Sequence, residues 1–496
     1  MKTILSYLEK QASERKNAPA FSDERETLTF SDAARMSDAI GSALLRHGAH
    51  REPVLVFTAR CAREIAAFFG VWKAGCFFVP VDAELGNDRI RSILARVEPR
   101  FAITDEAARA ALASYGYAGE TLDLDALIGE PSDPALLKRA ADAILDVDPA
   151  YLVFTSGSTG APKGVVGCHR AVLDYAAQIT GVLKPDETDV FGMQAPLYVD
   201  AGFKEILSAL KSGCSVVLVP KSLFSTPVPL VNFLNAHRVT MLCWVVPALT
   251  LISALRTFDE VTPKYLHTVA FGSEAFPPKQ LKLWQQHVPA RYLNLYGPTE
   301  CTGMTCFYEV DRTFSDDERI PIGRAFENAE VFLLDGHDRR SDEGEICIRG
   351  TSVTHGYYRD PERTKAVFVQ NPLNADYPET IYRTGDLARI NARGELEFLG
   401  RRDQQIKHMG HRIELGELEA AAQTVEGVAA ACAVFDPDRS LLALVYTGTA
   451  ERGTLLTALK ARVPEYLLPR AVKRVDALPL TLNGKTDRGA ALNLFR

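Results

Sequence analysis

Short apolar runs and amphipathic segments alternate along the first hundred residues. Val54–Phe57 has the composition of a buried strand, and Arg60–Ala74 has the amphipathic pattern of a helix that ends at Gly75. A second apolar strand, Cys76–Val81, follows directly. Strands that alternate with helices at this spacing predict a parallel, doubly wound sheet, and therefore an α/β fold.

An earlier helix is predicted from its first residues. The extended run Leu28–Asp32 leads into an amphipathic segment. A serine side chain can accept a hydrogen bond from a backbone N–H of the first turn, so we expect Ser31 to be the N-cap of a helix over Asp32–Leu45.

The pattern changes from Gly344 onwards. Gly344–Gly350 and Glu395–Gly400 alternate apolar and polar residues with a period of two. This predicts short strands in a small β-barrel-like subdomain. A compact polar region follows, with an amphipathic helix from about Leu415.

Composition limits the functional classes. The chain has 496 residues, so we expect two or three domains, and its 47% hydrophobic and 24% charged content is typical of a globular protein. The net charge of −7 gives no basic surface for nucleic acid. The N-terminal residues are too charged for a signal peptide, and no apolar run approaches the ~18 residues of a membrane span. The nine cysteines include no C-x-x-C pair, so we expect reduced thiols and a cytoplasmic location.

One polar loop is the strongest chemical signal in the chain. Tyr151–Val166 reads YLVFTSGSTGAPKGVV, in which a loop rich in Gly, Ser and Thr lies between two apolar runs. Glycine N–H groups and hydroxyls donate hydrogen bonds to phosphate oxygens, and Lys163 adds a positive charge. A flexible linker would not be closed by Pro-Lys-Gly, and a P-loop requires Ser or Thr directly after its Gly-Lys. The segment therefore predicts a different kind of phosphate-binding loop.

A second polar turn follows another predicted strand. In Tyr292–Glu300 an apolar run ends in Gly-Pro-Thr-Glu. Ligands of open α/β sheets bind at the carboxyl ends of strands. At such a position Thr299 can donate to a phosphate oxygen, and Glu300 can hold Mg²⁺, a cation that prefers oxygen ligands.

These segments resemble motifs of the adenylate-forming (ANL) superfamily, which contains acyl-CoA synthetases, luciferases and the adenylation domains of peptide synthetases. At least five motifs occur in order, and the resemblance spans nearly the whole chain. It implies that Tyr296 stacks on adenine beside Asn294, that Asp386 binds the ribose hydroxyls, and that Arg401 lies near the same ribose and phosphate. The implied ATP-binding residues are Thr155, Ser156, Gly157, Ser158, Thr159, Gly160, Lys163, Gly272, Ser273, Glu274, Asn294, Tyr296, Gly297, Thr299, Asp386 and Arg401.

The resemblance also implies two domains joined by a hinge at Asp403. Residues 1–402 would form the core that binds ATP and substrate, and residues 403–496 would form a small, mobile α+β domain. Within Pro479–Arg488, Lys485 matches the family's catalytic lysine. Rotation about Asp403 would withdraw Lys485 and bring in Gly410 for a second half-reaction.

Asp200 matches the aspartate that pairs with the substrate's amino group in peptide-synthetase adenylation domains. A helix N-cap is the alternative role for this residue. Bulky residues in the pocket wall favour a substrate with a small side chain. Lys204 could instead contact an acidic or polar side chain of the substrate, or it could extend to solvent. Cys243 could take the place of Trp244, because the register there is uncertain by one residue. The implied substrate-binding residues are Asp200, Ala201, Lys204, Trp244, Val269, Phe271, Leu295, Gly303, Met304 and Lys485.

The resemblance implies ATP-dependent activation of a small amino acid to an aminoacyl-AMP, with ATP and Mg²⁺ as cofactors. Because no carrier motif follows the lysine motif, we expect a stand-alone enzyme that transfers the aminoacyl group to the phosphopantetheine thiol of a separate carrier protein. An acyl-CoA ligase, with free CoA as acceptor, is the alternative enzyme. A nucleotide-binding regulator without catalysis is disfavoured, because Lys163, Glu300, Asp386 and Lys485 are all present.

Overall fold

The computed structural model describes residues 2–156, 162–402, 405–437, 439–480 and 486–496. These residues form a mixed α/β fold with a large N-terminal part and a smaller C-terminal part, as the sequence predicted. Six residues singled out by the sequence lie outside the described residues: Gly157, Ser158, Thr159, Gly160, Asp403 and Lys485.

The strands of the described residues have the following bounds: β1 Pro19–Ser22, β2 Thr27–Thr29, β3 Pro53–Phe57, β4 Phe77–Val81, β5 Phe101–Thr104, β6 Glu120–Asp123, β7 Pro149–Thr155, β8 Lys163–Cys168, β9 Val190–Met193, β10 Ser215–Leu218, β11 Met241–Val245, β12 Thr268–Gly272, β13 Arg291–Tyr296, β14 Cys306–Glu309, β15 Arg324–Ala325, β16 Ala329–Leu334, β17 Glu343–Gly350, β18 Phe368–Gln370, β19 Thr380–Ile390, β20 Leu396–Arg401, β21 Gln405–His408, β22 His411–Glu414, β23 Val428–Asp436, β24 Leu441–Gly448 and β25 Ala471–Arg474.

The α-helices of the same residues have these bounds: α1 Leu5–Glu14, α2 Phe30–Arg46, α3 Ala62–Lys73, α4 Asn87–Val97, α5 Glu106–Ser114, α6 Leu124–Gly129, α7 Pro134–Ala143, α8 His169–Leu183, α9 Phe203–Ser212, α10 Pro227–Ala236, α11 Val246–Ala254, α12 Pro278–His287, α13 Pro361–Val367, α14 Leu415–Gln423, α15 Arg452–Arg462 and α16 Arg488–Asn493. Short 3₁₀ turns include Asp200–Gly202 and Thr299–Cys301, both of which carry predicted site residues.

Two mainly parallel sheets form the large N-terminal part. One has six strands in the order β6-β5-β3-β4-β7-β8, and the other has nine in the order β15-β14-β13-β12-β11-β9-β10-β1-β2. The segments predicted as strands around Leu55 and Val79 are β3 and β4, which pair in parallel. The predicted doubly wound arrangement is therefore confirmed.

Three smaller sheets follow in the chain. β16, β17, β18, β19 and β20 form a five-stranded antiparallel sheet that includes both period-two strands predicted after Gly344. In the C-terminal part, β21 pairs with β22, and β23, β24 and β25 form a three-stranded sheet. Two apolar clusters of this C-terminal part are distinct from the clusters that fill the large sheets.

The prediction for the start of α2 was wrong by two residues. The N-cap is Thr29, whose hydroxyl accepts a hydrogen bond from the backbone N–H of Asp32 at 3.0 Å. The carboxylate of Asp32 in turn accepts from the backbone N–H of Thr29 at 3.2 Å. Such a reciprocal capping box satisfies two helix-terminal donors, whereas Ser31 as N-cap would satisfy one.

The register of the nine-stranded sheet brings two predicted site loops together. β12 and β13 are parallel neighbours, with Gly272 opposite Leu295. Both strands therefore end at the same edge of the sheet, where the loop from Ser273 and the turn from Gly297 begin. This edge is where parallel sheets bind ligands.

Candidate active site

Glu300 is the centre of a buried cluster of charges. Its side chain is fully buried, and its carboxylate accepts hydrogen bonds from the Arg412 guanidinium at 2.8 Å and from the Tyr357 hydroxyl at 2.7 Å. Burial alone would raise the pKa of this carboxyl, but the positive charges of Arg412 and Lys163 hold that pKa well below its usual range. Glu300 is therefore an anion that depends on cations around it.

Lys163 lies at the start of β8, beside this carboxylate. Its Nζ is 3.5 Å from Oε1 of Glu300 and 5.2 Å from the centre of the Tyr357 ring. Burial and the nearby Arg412 lower the pKa of Lys163 to about 8, although Glu300 acts in the opposite direction. Register places Lys163 directly opposite Thr155 of β7, so the two ends of the predicted phosphate-binding loop are adjacent.

Asp386 is held by two other residues that the sequence selected. Its carboxylate accepts a hydrogen bond from the Tyr296 hydroxyl at 2.5 Å and forms an ion pair with Arg401. Arg401 also donates to the Thr384 carbonyl at 3.1 Å. Tyr296, Asp386 and Arg401 therefore form one connected group. Asn294, the fourth residue implied for adenine and ribose, donates its side-chain amide to the Pro321 carbonyl at 2.8 Å.

Only glycine fits at position 297, in the turn that presents Thr299 and Glu300. A Cβ atom there would come within 2.0 Å of the Gly303 carbonyl oxygen. The turn is therefore closed by a backbone contact that any side chain would break. Beyond it, the Thr299 hydroxyl donates to Oδ1 of Asp200 at 3.0 Å.

Asp200 is half-buried at the start of a 3₁₀ turn and makes no N-cap hydrogen bond there. Burial raises the pKa of its carboxyl, and the Thr299 hydrogen bond acts against that rise. A carboxylate in such a place favours a cationic partner. The Thr299 contact links it to the Glu300 cluster.

A small cavity of about 20 Å³ is lined by Ala201, the residue that follows Asp200 in the chain. A cavity needs roughly 10–15 Å³ to hold one water molecule, so this volume suits a group no larger than a methyl. Six of the predicted pocket residues line it, together with Cys243, the predicted alternative to Trp244, and six residues that the sequence did not single out for the pocket. The lining residues are Gln194, Ala195, Ala201, Lys204, Cys243, Trp244, Val245, Ala270, Phe271, Gly272, Ser273, Leu295 and Met304.

Three details of the predicted pocket differ from expectation. Cys243 and Trp244 both line the cavity, so the alternatives left by the uncertain register are both present. Lys204 does not extend to solvent, since its side chain is 4% exposed and donates to the Ala201 carbonyl. Asp200, Val269 and Gly303 do not line the cavity. Val269 is buried in an apolar cluster, and Gly303 faces the Tyr175 ring.

A hairpin from the C-terminal part reaches this site. We call residues 405–414, which comprise β21 and β22, the C-terminal hairpin. The Gly410 N–H donates to Oε1 of Glu274 at 2.7 Å, and the Nζ of Lys407 lies 5.4 Å from the centre of the Tyr296 ring. Burial raises the pKa of Glu274. Gly410 therefore contacts one of the residues implied for ATP binding.

Arg412, like Tyr357, is a site residue that sequence reasoning missed. It lies on β22, is paired with Glu300, and its carbonyl accepts a hydrogen bond from the Ser156 hydroxyl. The signal in the sequence was its position two residues after Gly410, which was singled out for the second half-reaction. The Thr155 hydroxyl, in contrast, has no hydrogen-bond partner among the described residues.

The site suits a magnesium ion only in combination with a phosphate ligand. Among the described residues, no group of three or more His, Cys, Asp or Glu side chains could hold a metal. Magnesium is commonly bound by one or two carboxylates together with substrate phosphates, and Glu300 could supply one such carboxylate. Its oxygen Oε2 accepts a hydrogen bond from Arg412, so a metal ion on Glu300 would share the carboxylate with a guanidinium.

A larger surface depression, of about 290 Å³, lies near the N-terminus. It is lined by residues such as Lys2, Glu9, Asp38, Lys73 and Lys138. None of its lining residues belongs to the predicted site. In the part of the chain that the structure describes, no helix has the length and apolarity needed to span a membrane.

Comparison with known proteins places this geometry in context. Residues 8–358 match the family model of AMP-binding enzymes, and residues 417–485 match that of the AMP-binding enzyme C-terminal domain. Tyrocidine synthase 1 of Brevibacillus parabrevis is 30% identical over 498 residues, which are 99% of this chain and 45% of that protein. The chain therefore spans less than half the length of this relative.

Two solved structures illustrate the similarity of fold. The crystal structure of IdnL1 superposes with a TM-score of 0.78 at 28% identity, over 97% of this chain and 99% of that one. A double mutant of o-succinylbenzoate CoA synthetase from Bacillus subtilis superposes with a TM-score of 0.83 at 21% identity, over 97% of both chains. At 21% identity, the similarity to the CoA synthetase concerns the fold alone.

Proposed function

The chain belongs to the AMP-binding enzyme family of adenylate-forming ligases, and from this premise we propose that it activates a small amino acid with ATP. The observation that carries the amino acid assignment is Asp200. Its half-buried carboxylate is joined through Thr299 to the Glu300 cluster, and the next residue, Ala201, lines a cavity of about 20 Å³. An ammonium group on Asp200 would direct the substrate carboxylate towards the bound nucleotide.

In the proposed first half-reaction, a carboxylate oxygen of the amino acid bonds to the α-phosphorus of ATP. The bond from that phosphorus to the oxygen bridging to the β-phosphate breaks, and pyrophosphate leaves. Two anions must meet, so the protein's task is to position them and neutralise charge. Lys163 is suited to bind the β- and γ-phosphates. The Asp386 carboxylate is suited to accept hydrogen bonds from the ribose hydroxyls.

Two further groups would complete the reaction. Glu300 would hold the magnesium ion, which supplies charge neutralisation on the phosphates when bound. Lys485 would bind the substrate carboxylate near the α-phosphate, a role that rests on its match to the family motif alone, because it lies outside the described residues.

In the proposed second half-reaction, the phosphopantetheine thiolate of a separate carrier protein attacks the acyl carbon, and AMP leaves. The hairpin contact between Gly410 and Glu274 is the arrangement expected for that step. Because acyl-CoA synthetases share the fold, free CoA is the alternative acceptor. The residues 1–402 and 403–496, joined at Asp403, remain the proposed domains.

Pyrophosphate exchange with ATP and Mg²⁺ tests this proposal. We would compare glycine, alanine and other amino acids with β-amino, aryl and fatty acids. Strong exchange with one small amino acid supports Asp200 as the amine ligand. Exchange only with acids that lack an amino group would instead assign the chain to acyl-CoA ligation. Product analysis with CoA and with a carrier protein that bears a free phosphopantetheine thiol identifies the acceptor.

A further inference from the structure

Arg60 connects the two large sheets beside the substrate cavity. It follows β3 of the six-stranded sheet, and its guanidinium donates to the Met193 carbonyl at 2.9 Å and to the Ala195 carbonyl at 3.2 Å. A third hydrogen bond, of 2.9 Å, goes to the Val219 carbonyl. These carbonyls lie at or just beyond the carboxyl ends of β9 and β10 in the nine-stranded sheet. A charged donor forms stronger hydrogen bonds to such carbonyls than a neutral donor does, so the ends of both strands are firmly held.

The segment that begins at these carbonyls leads directly to Asp200. We call residues 193–200 the anchored segment. Near its start, Gln194 and Ala195 line the cavity, and Oε1 of Gln194 accepts a hydrogen bond from the Val245 N–H at 3.2 Å. The start of the anchored segment is therefore a wall of the cavity, and its last residue is the proposed ligand of the substrate amine.

The chain folds back on itself directly after the anchored segment. A Cβ atom at Gly202 would lie 2.7 Å from Cε of Met193 and 3.2 Å from the Pro196 carbonyl oxygen. The residues around Asp200 are thus packed against the start of the same segment. Because close-packed groups transmit a displacement to their neighbours, a shift of the Met193 end would also move the Asp200 end.

We infer that Arg60 is a positioning residue for amino acid recognition, which fixes Asp200 relative to the cavity wall. The inference rests on the proposed function, because it takes Asp200 as the ligand of the substrate amine. Arg60 is not among the residues that line the cavity, so it acts through the anchored segment. Accurate placement matters here, since a misplacement of about 1 Å in a binding group can cost ~10²-fold in rate.

Pyrophosphate exchange by Arg60→Met tests the inference. This variant keeps an unbranched side chain but removes all three hydrogen bonds to the carbonyls. We expect the KM for the preferred amino acid to rise about tenfold or more, because Asp200 is no longer held in place. Affinity for Mg²⁺ with α,β-methylene-ATP, an analogue that cannot release pyrophosphate, should stay within about threefold of the wild type by calorimetry. Discrimination against the same acid without its amino group should fall with the rise in KM.

Arg60→Lys is the conservative variant. An ammonium keeps the positive charge, but it lacks the planar fork that lets a guanidinium reach carbonyls of two strand ends at once. The KM for the amino acid should therefore lie between that of the wild type and that of Arg60→Met. Thermal unfolding verifies that each variant is folded, and if Arg60→Met does not fold, the KM of Arg60→Lys decides: a wild-type value would overturn the inference.

Arg291→Met is the matched control. Arg291 also donates to two backbone carbonyls, of Leu183 at 3.2 Å and Val182 at 3.3 Å, but it begins β13, at the opposite end of that strand from the site. The control should lower the Tm without changing the KM for the amino acid. An unchanged KM in folded Arg60→Met, or an equal rise in Arg291→Met, would overturn the inference while leaving the proposed function intact. Absence of amino-acid-dependent exchange by the wild type would overturn both.

Discussion

Glu417 of α14 forms a 3.0 Å ion pair with Arg89 of α4, 328 residues away in the chain. Both side chains are almost completely buried, at 7% and 5% exposure. The pair joins the C-terminal part to the N-terminal part in the arrangement that places Arg412 on Glu300. It is therefore a contact that stabilises the docked hairpin.

Glu417→Gln should weaken that docked arrangement, because it leaves the Arg89 charge without its carboxylate. We expect thioester formation to fall at least tenfold while pyrophosphate exchange is retained. Glu451→Gln, which removes an 83% exposed carboxylate from the same part of the chain, should change neither rate. Equal losses in both half-reactions would contradict a role specific to docking.

Nucleotide affinity should depend on the charge of Lys163. Because burial lowers its pKa to about 8, the free enzyme loses this ammonium as the pH rises through that value, well before an exposed lysine would. Affinity for Mg·α,β-methylene-ATP should therefore decline between about pH 7 and 9. Calorimetry across this range measures it. In Lys163→Arg the decline should disappear, and its persistence would assign the titration to another group.

Deprotonation of Lys163 should have the opposite effect on the stability of the folded chain. The pKa of Lys163 is lower in the folded chain than in the unfolded chain, so the unfolded state binds more protons between the two values. This residue's contribution to the free energy of unfolding should thus increase as the pH rises above about 8. Comparing denaturant unfolding of the wild type with that of Lys163→Met at several pH values isolates it.

Asp200→Asn should abolish the preference for amino acids. Loss of the charge opposite a substrate ammonium costs about 2–5 kcal/mol, so amino-acid-dependent pyrophosphate exchange should fall ~30-fold or more. Nucleotide affinity should be unchanged, which calorimetry checks. Asp317→Asn, at an exposed position, is the control. Normal exchange by Asp200→Asn would remove this residue from amine recognition.

Phe271→Ala should enlarge the substrate cavity. Phe271 lines the cavity and packs edge-to-face on Phe276, with 4.9 Å between ring centres. We expect pyrophosphate exchange to shift from small to larger aliphatic amino acids. Phe276→Ala removes the other ring, which does not line the cavity. Each of the two substitutions should lower the free energy of unfolding by ~3–5 kcal/mol, but Phe276→Ala should leave the preference for small amino acids unchanged. An unchanged preference in Phe271→Ala would contradict the assignment of this cavity.

Lys485→Ala should impair adenylation. Loss of one preorganised contact to the developing charge typically costs ~10²–10³ in rate. The second half-reaction, started from chemically supplied aminoacyl-AMP, should proceed normally, because Lys485 is expected to be withdrawn at that step. Normal pyrophosphate exchange in this variant would refute its role.

The sequence alone determined the elements whose causes are local. The strands around Leu55 and Val79 follow from continuous apolar runs, and so do β7 and β8, which flank the predicted phosphate-binding loop. Residue types and spacing carry this information, because hydrophobic periodicity and backbone freedom act over a few neighbouring residues.

Only the tertiary structure decided which distant side chains meet. Arg412 is 112 residues from Glu300, and no spacing rule connects them. The N-cap of α2 also could not be identified from the sequence pattern. Thr29 and Asp32 cap the helix as a pair, whereas the pattern favoured Ser31 alone. Buried charges find their partners through the packing of whole domains, so the ion pairs that organise this site can be read only from the folded chain.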